Sequence, residues 1–535
     1  MNAVPATNGG SPSSFGLGTD RLAIVLASPP LTADHLDRLA AALEGRLVPA
    51  GGREYERAHK VWNSRFDGSR PAAIAEVVGA EDIRRVIDFA RGNDVRVVVR
   101  NGGHSFGGYS SGDGVIVIDV SRLNTIEVSA DASRACIGAG ATLLPTYQAL
   151  SPHKRAIPAG VCPTVGITGL TAGGGLGVLG RLYGLTCDSL TEVELVDAEG
   201  KLLRANDEEN ADLFWALRGG GGGNFGVVVA LTFRLVPVDM PFTHSVIEFP
   251  WAAAERVVSC WQEWAHAAPR ELWSGAMLET RGRAEEPCVR VESFYGGNPD
   301  DVPELVDDLV AAVEVQPTAT TASTSEFATI PSRMYCEDLR PEEWHTEDVH
   351  PGGKLPRFAY YAKSDVASRP WPPAAGAALV TAIEERRGDP LLTPSDFDRQ
   401  RDAGRIFIEI ADGAIGSVAA DATAFPHRDA LFVSQLESRW RKGSPPELEG
   451  PNIAWACELY SALGPSGSCY LGYIDPELAD WEQAYYGANL PRLRRVKATY
   501  DPDNFFRFAK SIPPSAQRGP ATEQAPASKA ERNAM

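Results

Sequence analysis

Arg100-Asn-Gly-Gly-His-Ser-Phe-Gly-Gly-Tyr109 is a glycine-rich stretch that carries one imidazole, that of His104. Gly160-Val-Cys-Pro-Thr-Val-Gly166 is a second such stretch, and it carries one thiol, that of Cys162. Glycines let backbone amides approach an anion closely, because no Cβ stands in the way. Together the two stretches predict loops that hold a phosphate-bearing cofactor and place an imidazole and a thiolate where they can bond to it.

Each of these two residues also has an ordinary interpretation. A single Cys is most often a small buried hydrophobe, and a single His more often belongs to the core or the surface than to a cofactor site. A metal site fits poorly, since neither residue has another Cys or His two to five positions away to complete a pair of ligands. The cofactor interpretation therefore depends on the two loops occurring together.

The composition is that of a globular protein with an excess of acidic residues. Because the 535 residues exceed one ordinary core, at least two domains or subdomains are expected. With 51 basic against 70 acidic side chains the net charge is −19, which argues against nucleic acid or an anionic membrane surface as a partner. No apolar stretch is long enough to span a bilayer, and residues 1–14 lack the features of a signal peptide. The sequence therefore predicts a cytoplasmic protein.

Local patterns predict a mixture of helices and strands. Apolar residues at helical spacing predict a helix from Ala80 to Asn93, followed by a strand that leads into the His104 loop. The other predicted elements are strands at 95–99 and 115–118, a hairpin of 190–196 with 201–204, and a helix at 211–217. No repeating βαβ period is present, which favours an α+β fold over a doubly wound sheet.

Further segments match one known family. They are Asn224-Phe-Gly226 after a run of glycines, and the C-terminal stretches 485–489, 492–497 and 500–504. With the two loops they make the sequence resemble the berberine-bridge-enzyme branch of the FAD-linked oxidases over roughly residues 60–515. The resemblance implies a two-part FAD-binding domain of the PCMH type, and a substrate domain whose large antiparallel sheet is covered by helices.

The resemblance also divides the chain. The expected parts are an N-terminal tail and lead-in segment (1–60), the FAD-binding domain (61–238), the substrate-binding domain (239–459), a segment returning to the FAD domain (460–515) and a disordered tail (516–535).

For the cofactor, the resemblance implies FAD held by two covalent bonds. His104 would bond to the 8α-methyl group of the flavin and Cys162 to its C6, as nucleophiles on an electrophilic ring. The other residues expected at the FAD are Arg100, Asn101, Gly102, Gly103, Ser105, Val165, Gly166, Gly173, Gly174, Gly177, Asn224, Gly226, Val227 and Asn504. For Gly102 and Gly103 the alternative is that they only make a tight turn.

Gly175-Leu-Gly-Val-Leu-Gly180 literally matches the fingerprint of a Rossmann dinucleotide site, with Glu194 and Asp197 about twenty residues further on. That fingerprint needs a strand directly before it, whereas residues 168–173 have no strand pattern. A nicotinamide-dependent dehydrogenase is therefore only the minor alternative.

Val165 stands where relatives border the space above the flavin in which oxygen reacts. In the family a Val at this position accompanies oxidases, and a bulkier Leu accompanies dehydrogenases that do not use oxygen. The resemblance thus implies molecular oxygen as a partner. The alternative is that Val165 is an ordinary core side chain.

Tyr470-Leu-Gly-Tyr473-Ile-Asp475 resembles the family's Tyr-x-Asn-Tyr-x-Asp, with Gly472 in place of Asn. The resemblance implies that Tyr473 faces the substrate as a base, because a phenol made more acidic by its neighbours can take up a proton. Tyr470 would then lie on the opposite face of a strand. The remaining catalytic candidates, Glu409 and Gln435, lie in strand-like segments that place them above the flavin or, alternatively, toward solvent.

Besides Gly472, two positions depart from the family pattern. Leu176 occupies the place of a tyrosine that follows three glycines in sugar- and alcohol-oxidising relatives. Its presence favours a substrate whose oxidation needs less assistance from a pair of tyrosines, such as an amine or a phenol. Lys510 replaces the usual Gln and would change the charge near the flavin.

These features predict an FAD-dependent oxidase. A hydride would pass from an alcohol or amine carbon of a small organic substrate, expected to be a secondary metabolite, to the flavin, and oxygen would reoxidise the flavin to give H2O2. A carbohydrate oxidase or an oxidative cyclase of the same fold stays open. The alternative from another class is a flavin-binding protein without turnover.

Overall fold

The computed structural model of the protein describes residues 31–330, 355–398 and 402–515. The first half of the predicted N-terminal segment (1–60) and the whole predicted C-terminal tail (516–535) lie outside these ranges. The fold is α+β, as predicted from the sequence. Among the residues so described, no helix has the length and apolar character needed to cross a lipid bilayer.

The first part of the chain contains two sheets and a short two-stranded ribbon. Its strands are β1 (Arg46–Pro49), β2 (Ala73–Glu76), β3 (Val97–Arg100), β4 (Ile116–Asp119), β5 (Ile126–Val128), β6 (Arg134–Gly138), β7 (Arg155–Ala156), β8 (Leu190–Val196), β9 (Leu202–Ala205), β10 (Val227–Arg234) and β11 (Val236–Pro237). Its helices are α1 (Ala33–Ala42), α2 (Gly52–Ala58), α3 (Ala80–Gly92), α4 (Leu143–Leu150), α5 (Ile167–Ala172), α6 (Gly180–Tyr183) and α7 (Ala211–Leu217).

The four-stranded sheet, in the order β1-β2-β4-β3, carries the His104 loop. β2 and β3 both run parallel to β4, and β1 is antiparallel to β2. Helix α3 confirms the predicted helix within one residue, and its apolar residues Ile83, Val86, Ile87 and Ala90 are buried. β3 confirms the predicted strand with a shift of its start, and it ends directly before the loop that contains His104.

The five-stranded sheet is antiparallel, in the order β5-β6-β10-β8-β9. Its β8–β9 pair is the hairpin predicted from the sequence, and the predicted helix over residues 211–217 is α7. The glycine run follows α7, so it lies between this helix and β10.

A seven-stranded antiparallel sheet forms the second part of the chain, in the order β15-β12-β14-β13-β17-β18-β16. The strands are β12 (Phe242–Phe249), β13 (Leu272–Glu279), β14 (Cys288–Tyr295), β15 (Ala319–Ser325), β16 (Ala359–Ala367), β17 (Gly404–Ile410) and β18 (Phe432–Trp440). The helices are α8 (Ala254–Ala267), α9 (Val302–Val313), α10 (Pro373–Gly388) and α11 (Glu449–Ala462). α8, α10 and α11 pack on the sheet, and α9 packs on α8.

Strand alternation in β17 separates the two faces of this sheet. Ile406 and Ile408 are fully buried in the main core, whereas Phe407 and Glu409 line a cleft. Because successive side chains of a strand point to opposite faces, one face can pack on the helices while the other carries polar groups toward a ligand.

The last segment packs against the first part of the chain through α12 (Trp481–Tyr486) and α13 (Leu490–Tyr500). Lys497 on α13 is fully buried. Its ammonium donates to the Asn224 carbonyl at 2.6 Å, to the Asp501 carboxylate at 2.6 Å and to the Phe506 carbonyl at 2.7 Å. These contacts tie residues 497–506 to the glycine run. The divisions at 60, 238, 459 and 515 remain our proposal for the domain boundaries.

Candidate functional site

A cleft of about 550 Å³ is lined by the glycine loops of the first part of the chain, by the polar face of the seven-stranded sheet and by residues 470–474 and 506–510. Its volume lies in the range of small-molecule and cofactor sites. Since residues far apart in sequence meet here, the cleft is the candidate active site.

The loops that carry His104 and Cys162 are in direct contact. A Cβ on Gly102 would lie 2.5 Å from the Gly166 nitrogen, and a Cβ on Gly166 would collide with the Asn101 side chain. The Asn101 side-chain oxygen accepts a hydrogen bond from the Thr168 amide at 3.1 Å. Glycine is therefore required at 102 and 166 for the loops to approach each other.

His104 and Cys162 both line the cleft. The His104 Nε2 lies 2.7 Å from the Thr164 hydroxyl, and the indole of Trp62 stacks on the imidazole with a centroid distance of 5.1 Å and an interplanar angle of 18°. Cys162 packs against the edge of an apolar cluster formed by Trp62, Leu355, Phe358, Tyr360 and Ala362. The imidazole and the thiol thus both lie at this apolar cluster, of which Trp62 is a member.

The structure brings many of the predicted FAD-binding residues to the cleft. Besides His104 and Cys162, these are Asn101, Gly102, Gly103, Ser105, Val165, Gly166, Gly173, Gly177 and Asn224.

Five other predicted FAD-binding residues are not brought to the cleft. Arg100 is buried in an ion pair with Asp119 at 2.7 Å. A Cβ on Gly174 would contact the ring of Phe425, and one on Gly226 would contact the carbonyl of Val196. Val227 is buried at the start of β10, and Asn504 lies in the turn after α13. Arg100 closes the four-stranded sheet where β3 and β4 end, which is the physical reason for its burial.

The wall of the cleft suits a large cofactor with phosphate groups. A Cβ on Gly169 would meet nothing within 4 Å, and one on Gly222 would have its nearest neighbour at 3.9 Å, so side chains at these positions would fill the cavity. Gly103, Gly221 and Gly223 have φ angles of 68°, 89° and 73°. These backbone conformations favour glycine and expose amides without a Cβ. The residues present therefore fit FAD.

On the sheet side, Tyr473 and Glu409 form a hydrogen-bonded pair. The Tyr473 hydroxyl donates to the Glu409 carboxylate at 3.1 Å, and the Phe106 ring stacks on Tyr473 at 5.4 Å with an interplanar angle of 4°. Burial raises the pKa of Glu409 from 4.5 to about 7, while the hydrogen bond from Tyr473 acts in the opposite direction. A carboxyl group with this pKa can exchange a proton near neutral pH.

Gln435 also faces the cleft, and its amide donates to the Tyr360 hydroxyl. Burial raises the pKa of the Tyr360 phenol well above its usual value. Next to this pair, Glu437 forms an ion pair with Arg439. Both Glu409 and Gln435 therefore point to the cleft, and the alternative that they face solvent is wrong.

The expectation that Tyr470 and Tyr473 lie on opposite faces of a strand is wrong. Residues 471–473 form a 3₁₀ helix, and the two rings pack edge to face at 4.9 Å. The Tyr470 hydroxyl accepts hydrogen bonds from the amides of Gly175 and Leu176, each at 3.2 Å. A Cβ on Gly472 would lie 2.5 Å from the Tyr470 ring, so the absence of a side chain at 472 makes room for this ring.

Leu176 and Lys510, at which the sequence departs from the family pattern, both line the cleft. Leu176 is buried and belongs to an apolar cluster with Phe425 and Tyr470. Lys510 donates from its ammonium to the Leu478 carbonyl at 2.6 Å. This carbonyl therefore takes up part of the hydrogen-bonding capacity of the Lys510 ammonium.

Several residues that line the cleft, or that bond to a side chain lining it, were not singled out from the sequence. Thr164 and Phe106 stand inside the two quoted loops, so a reading of every polar and aromatic side chain in these loops would have found them. Trp62 and Tyr360 had no such signal, because Trp62 lies 42 positions before His104 and Tyr360 on a strand of the other sheet.

The Gly175–Gly180 fingerprint directly follows helix α5 and a turn, and not a strand. The structural context of a Rossmann dinucleotide site is therefore missing, as expected from the sequence.

Comparison with known proteins agrees with this geometry. Residues 71–206 match the family model described as FAD binding domain, and residues 469–513 match the one described as berberine and berberine like. The chain is 32% identical over 477 residues to the uncharacterized FAD-linked oxidoreductase YgaK of Bacillus subtilis. The aligned region covers 88% of this chain and 97% of the relative.

Two solved structures extend the comparison. BBE-like 1 of Physcomitrella patens has a TM-score of 0.77 at 27% identity, over 89% of this chain and 99% of that one. Xylooligosaccharide oxidase from Myceliophthora thermophila C1, solved in complex with xylobiose, has a TM-score of 0.75 at 25% identity, over 90% of this chain and 99% of that one.

Proposed function

Because the chain belongs to the berberine bridge enzyme-like family of FAD-linked oxidoreductases, we propose that it oxidises an alcohol or amine carbon of a small organic molecule, with FAD bound covalently to His104 and Cys162 and with oxygen as the final acceptor. The observation that carries the proposal is the Tyr473–Glu409 pair, which lies in the same cleft as the imidazole and the thiol. Bound FAD would supply the hydride acceptor, and its reoxidation by oxygen would release H2O2.

Removal of a proton is the task of Tyr473 and Glu409. A substrate O–H or N–H must lose its proton when its carbon gives up a hydride, and a base within hydrogen-bond reach accelerates this step. Burial gives Glu409 a pKa of about 7, so both its protonated and its ionised forms are populated near neutral pH. The Tyr473 hydroxyl, oriented by its hydrogen bond to Glu409, would pass the substrate proton to this carboxylate.

Binding of the substrate is the task of the aromatic side chains. Trp62, Phe106, Tyr360 and Phe407 line the cleft, and Trp62 and Tyr360 are almost fully buried. Such a wall excludes water and packs on a planar or apolar molecule. Leu176 adds apolar surface where sugar-oxidising relatives have a hydroxyl. These features support a hydrophobic secondary metabolite as the substrate.

A carbohydrate substrate is the second candidate. The solved xylooligosaccharide oxidase has this fold, and Gln435, Glu437 and Arg439 line the same cleft with groups that can bond to hydroxyls. An oxidative cyclase would use the same hydride transfer, followed by ring closure of the substrate.

Oxygen as acceptor is supported by Val165. This side chain is partly buried and lines the cleft between the two loops. Its amide donates to the Cys162 carbonyl at 3.2 Å, which fixes the turn between these two residues. A branched but short side chain here leaves more free volume than Leu would.

The proposal is tested by the intact mass and visible spectrum of the purified chain after acid denaturation, and by H2O2 release with panels of alcohols, amines and sugars. We expect FAD to stay attached, and His104→Ala and Cys162→Ala each to keep the other bond. Release of all flavin from the unmutated protein would refute the covalent attachment. Attached flavin without H2O2 from any panel would instead favour a binding protein without turnover.

A further inference from the structure

The imidazole of His104 is held from two directions, by Trp62 and by Thr164. Trp62 stacks on its face, with the two ring planes 18° apart. Thr164 bonds to its edge, with 2.7 Å between the threonine hydroxyl and Nε2. A stacked neighbour fixes the plane of a ring and a hydrogen bond fixes its rotation within that plane, so the two contacts together define the ring's orientation.

Both contacts have rigid support. The Trp62 amide donates to the Gly103 carbonyl at 3.1 Å, which ties it to the residue before His104. Thr164 is only 4% exposed, and its carbonyl would lie 2.6 Å from a Cβ on Gly102. The backbones of the two loops are thus in contact at this point, and the Thr164 hydroxyl has a fixed position relative to the imidazole.

We infer that Thr164 is a positioning residue for the covalent attachment of FAD: its hydroxyl orients the His104 imidazole for bond formation at the 8α carbon, and Trp62 holds the ring's plane. The inference rests on the proposed function, since it concerns one of the two proposed bonds. A residue that hydrogen-bonds the second nitrogen of a reacting or ligating imidazole sets both its orientation and its tautomer.

The bond-forming reaction balances with O2 as the oxidant. A nitrogen of His104 forms a bond to the 8α-methyl carbon. One hydrogen leaves that carbon and one leaves the imidazole, and both, with two electrons, reduce O2 to H2O2. The Thr164 hydroxyl is not consumed. Its contribution is to hold the imidazole nitrogen and its proton in a fixed place while the bond forms.

Cys162 gives an internal control for this inference. It lies two positions before Thr164 in the same loop, and its proposed bond goes to C6 of the flavin and not to the 8α-methyl group. A general distortion of the loop would therefore impair the bond from Cys162 at least as much as the bond from His104. Loss of the Thr164 hydroxyl alone should impair only the His104 bond.

The test measures the rate at which FAD becomes covalently attached, in two backgrounds. Apoprotein of Cys162→Ala, which can attach FAD only through His104, and apoprotein of His104→Ala, which can attach it only through Cys162, are each made with Thr164, Thr164→Val or Thr164→Ser. Valine keeps the branched shape and removes the hydroxyl, whereas serine keeps the hydroxyl. After addition of FAD, samples are denatured in acid at intervals, and the attached fraction is read from intact mass.

In the Cys162→Ala background we expect Thr164→Val to slow attachment roughly 10- to 100-fold, the range found when the hydrogen-bond partner of a ligating imidazole is removed. Thr164→Ser should restore most of the rate. In the His104→Ala background the rates should agree within about twofold. Equal rates for Thr164 and Thr164→Val in the first background would overturn the inference, as would equal slowing in both backgrounds. If Cys162→Ala with Thr164 intact attaches no FAD, the His104 bond itself fails, and the inference falls with it.

Discussion

Tyr473 donates a hydrogen bond to Glu409 across 3.1 Å, although the two residues are 64 positions apart. Glu409 comes from β17 of the seven-stranded sheet, and Tyr473 from a 3₁₀ helix in the segment that returns to the first part of the chain. The pair therefore forms only when both parts of the chain are in place. It joins a phenol to a buried carboxyl group whose pKa is about 7.

Tyr473→Phe should lower the rate of flavin reduction by roughly 10²- to 10⁴-fold, which is what a positioned acid or base contributes. Phenylalanine keeps the ring that stacks on Phe106 and removes only the hydroxyl, so substrate binding should change little. The measurement is anaerobic stopped-flow reduction with a substrate found in the panels. Tyr183→Phe, whose hydroxyl bonds to the Pro237 carbonyl away from the cleft, is the matched control. An unchanged rate in Tyr473→Phe would leave Glu409 as the base.

Glu409→Gln should remove the part of the pH dependence of the free energy of unfolding that comes from the Glu409 carboxyl group. Burial raises the folded-state pKa of Glu409 from 4.5 to about 7. The folded protein therefore binds more protons than the unfolded chain between these values. The stabilising contribution is fully present below pH 4.5 and is lost as the pH rises through about 7.

Because glutamine cannot ionise, the variant should gain stability relative to the unmutated protein as the pH rises through this window. Urea denaturation of both proteins at several pH values from 4.5 to 8 gives the difference in the free energy of unfolding. A difference that stays constant over this range would contradict the raised pKa. In the unmutated enzyme, flavin reduction should become faster as the carboxylate forms around pH 7.

Val165→Leu should slow reoxidation of reduced flavin by oxygen, while anaerobic reduction changes little. The larger side chain fills the free volume that Val165 leaves at the cleft wall. We expect about a tenfold decrease, equivalent to about 1.4 kcal/mol in activation free energy. Stopped-flow traces of the two half-reactions separate the steps. Should both proteins reoxidise at the same rate, Val165 does not control access of oxygen.

Tyr470→Phe should destabilise the protein by about 1–3 kcal/mol, because the buried amides of Gly175 and Leu176 both lose their acceptor. The free energy of unfolding, measured with urea, is compared with that of Tyr183→Phe, which should stay within about 0.5 kcal/mol of the unmutated protein. A loss as small as in Tyr183→Phe would mean that water replaces the hydroxyl.

Gly222→Val should weaken FAD binding about tenfold or more, at a cost of about 1.4 kcal/mol or more in binding free energy, without unfolding the chain. The Cβ of the added side chain would have no neighbour closer than 3.9 Å, and Gly222 lines the cleft. Gly68→Val is the control, since a Cβ there meets nothing within 4 Å and Gly68 does not line the cleft. Full flavin content in Gly222→Val would show that FAD does not pass this part of the wall.

The local elements of the fold could be predicted because their signals are local. Helix α3 is set by the spacing of Ile83, Val86, Ile87 and Ala90, and the β8–β9 hairpin by strand alternation around a turn. The segment around Tyr473 could not be predicted in the same way. Gly472 interrupts it, and a glycine inside a short strand pattern weakens that pattern. The 3₁₀ helix is the result.

The candidate site was predictable only in part. His104, Cys162 and their glycines could be found because they stand in two recognisable loops. The pairing of Thr164 with His104 depends on how closely the loops pack, which Gly102 and Gly166 permit but do not specify. The pairing of Tyr473 with Glu409 depends on the register of β17 in a sheet built from strands far apart in sequence. Such contacts become visible only in three dimensions.

The buried Lys497 ammonium sets an order of events during biosynthesis. A ribosome completes the glycine run, the His104 loop and the Cys162 loop long before it reaches α13, and domains generally begin to fold as they emerge. Until Lys497 arrives, however, the Asn224 carbonyl lacks the ammonium it bonds to in the finished protein. The wall formed by residues 506–510 is also missing until then. We therefore expect loading of the flavin to be a late step that follows translation of nearly the whole chain, and a ribosome stalled before α13 to hold a nascent protein without FAD.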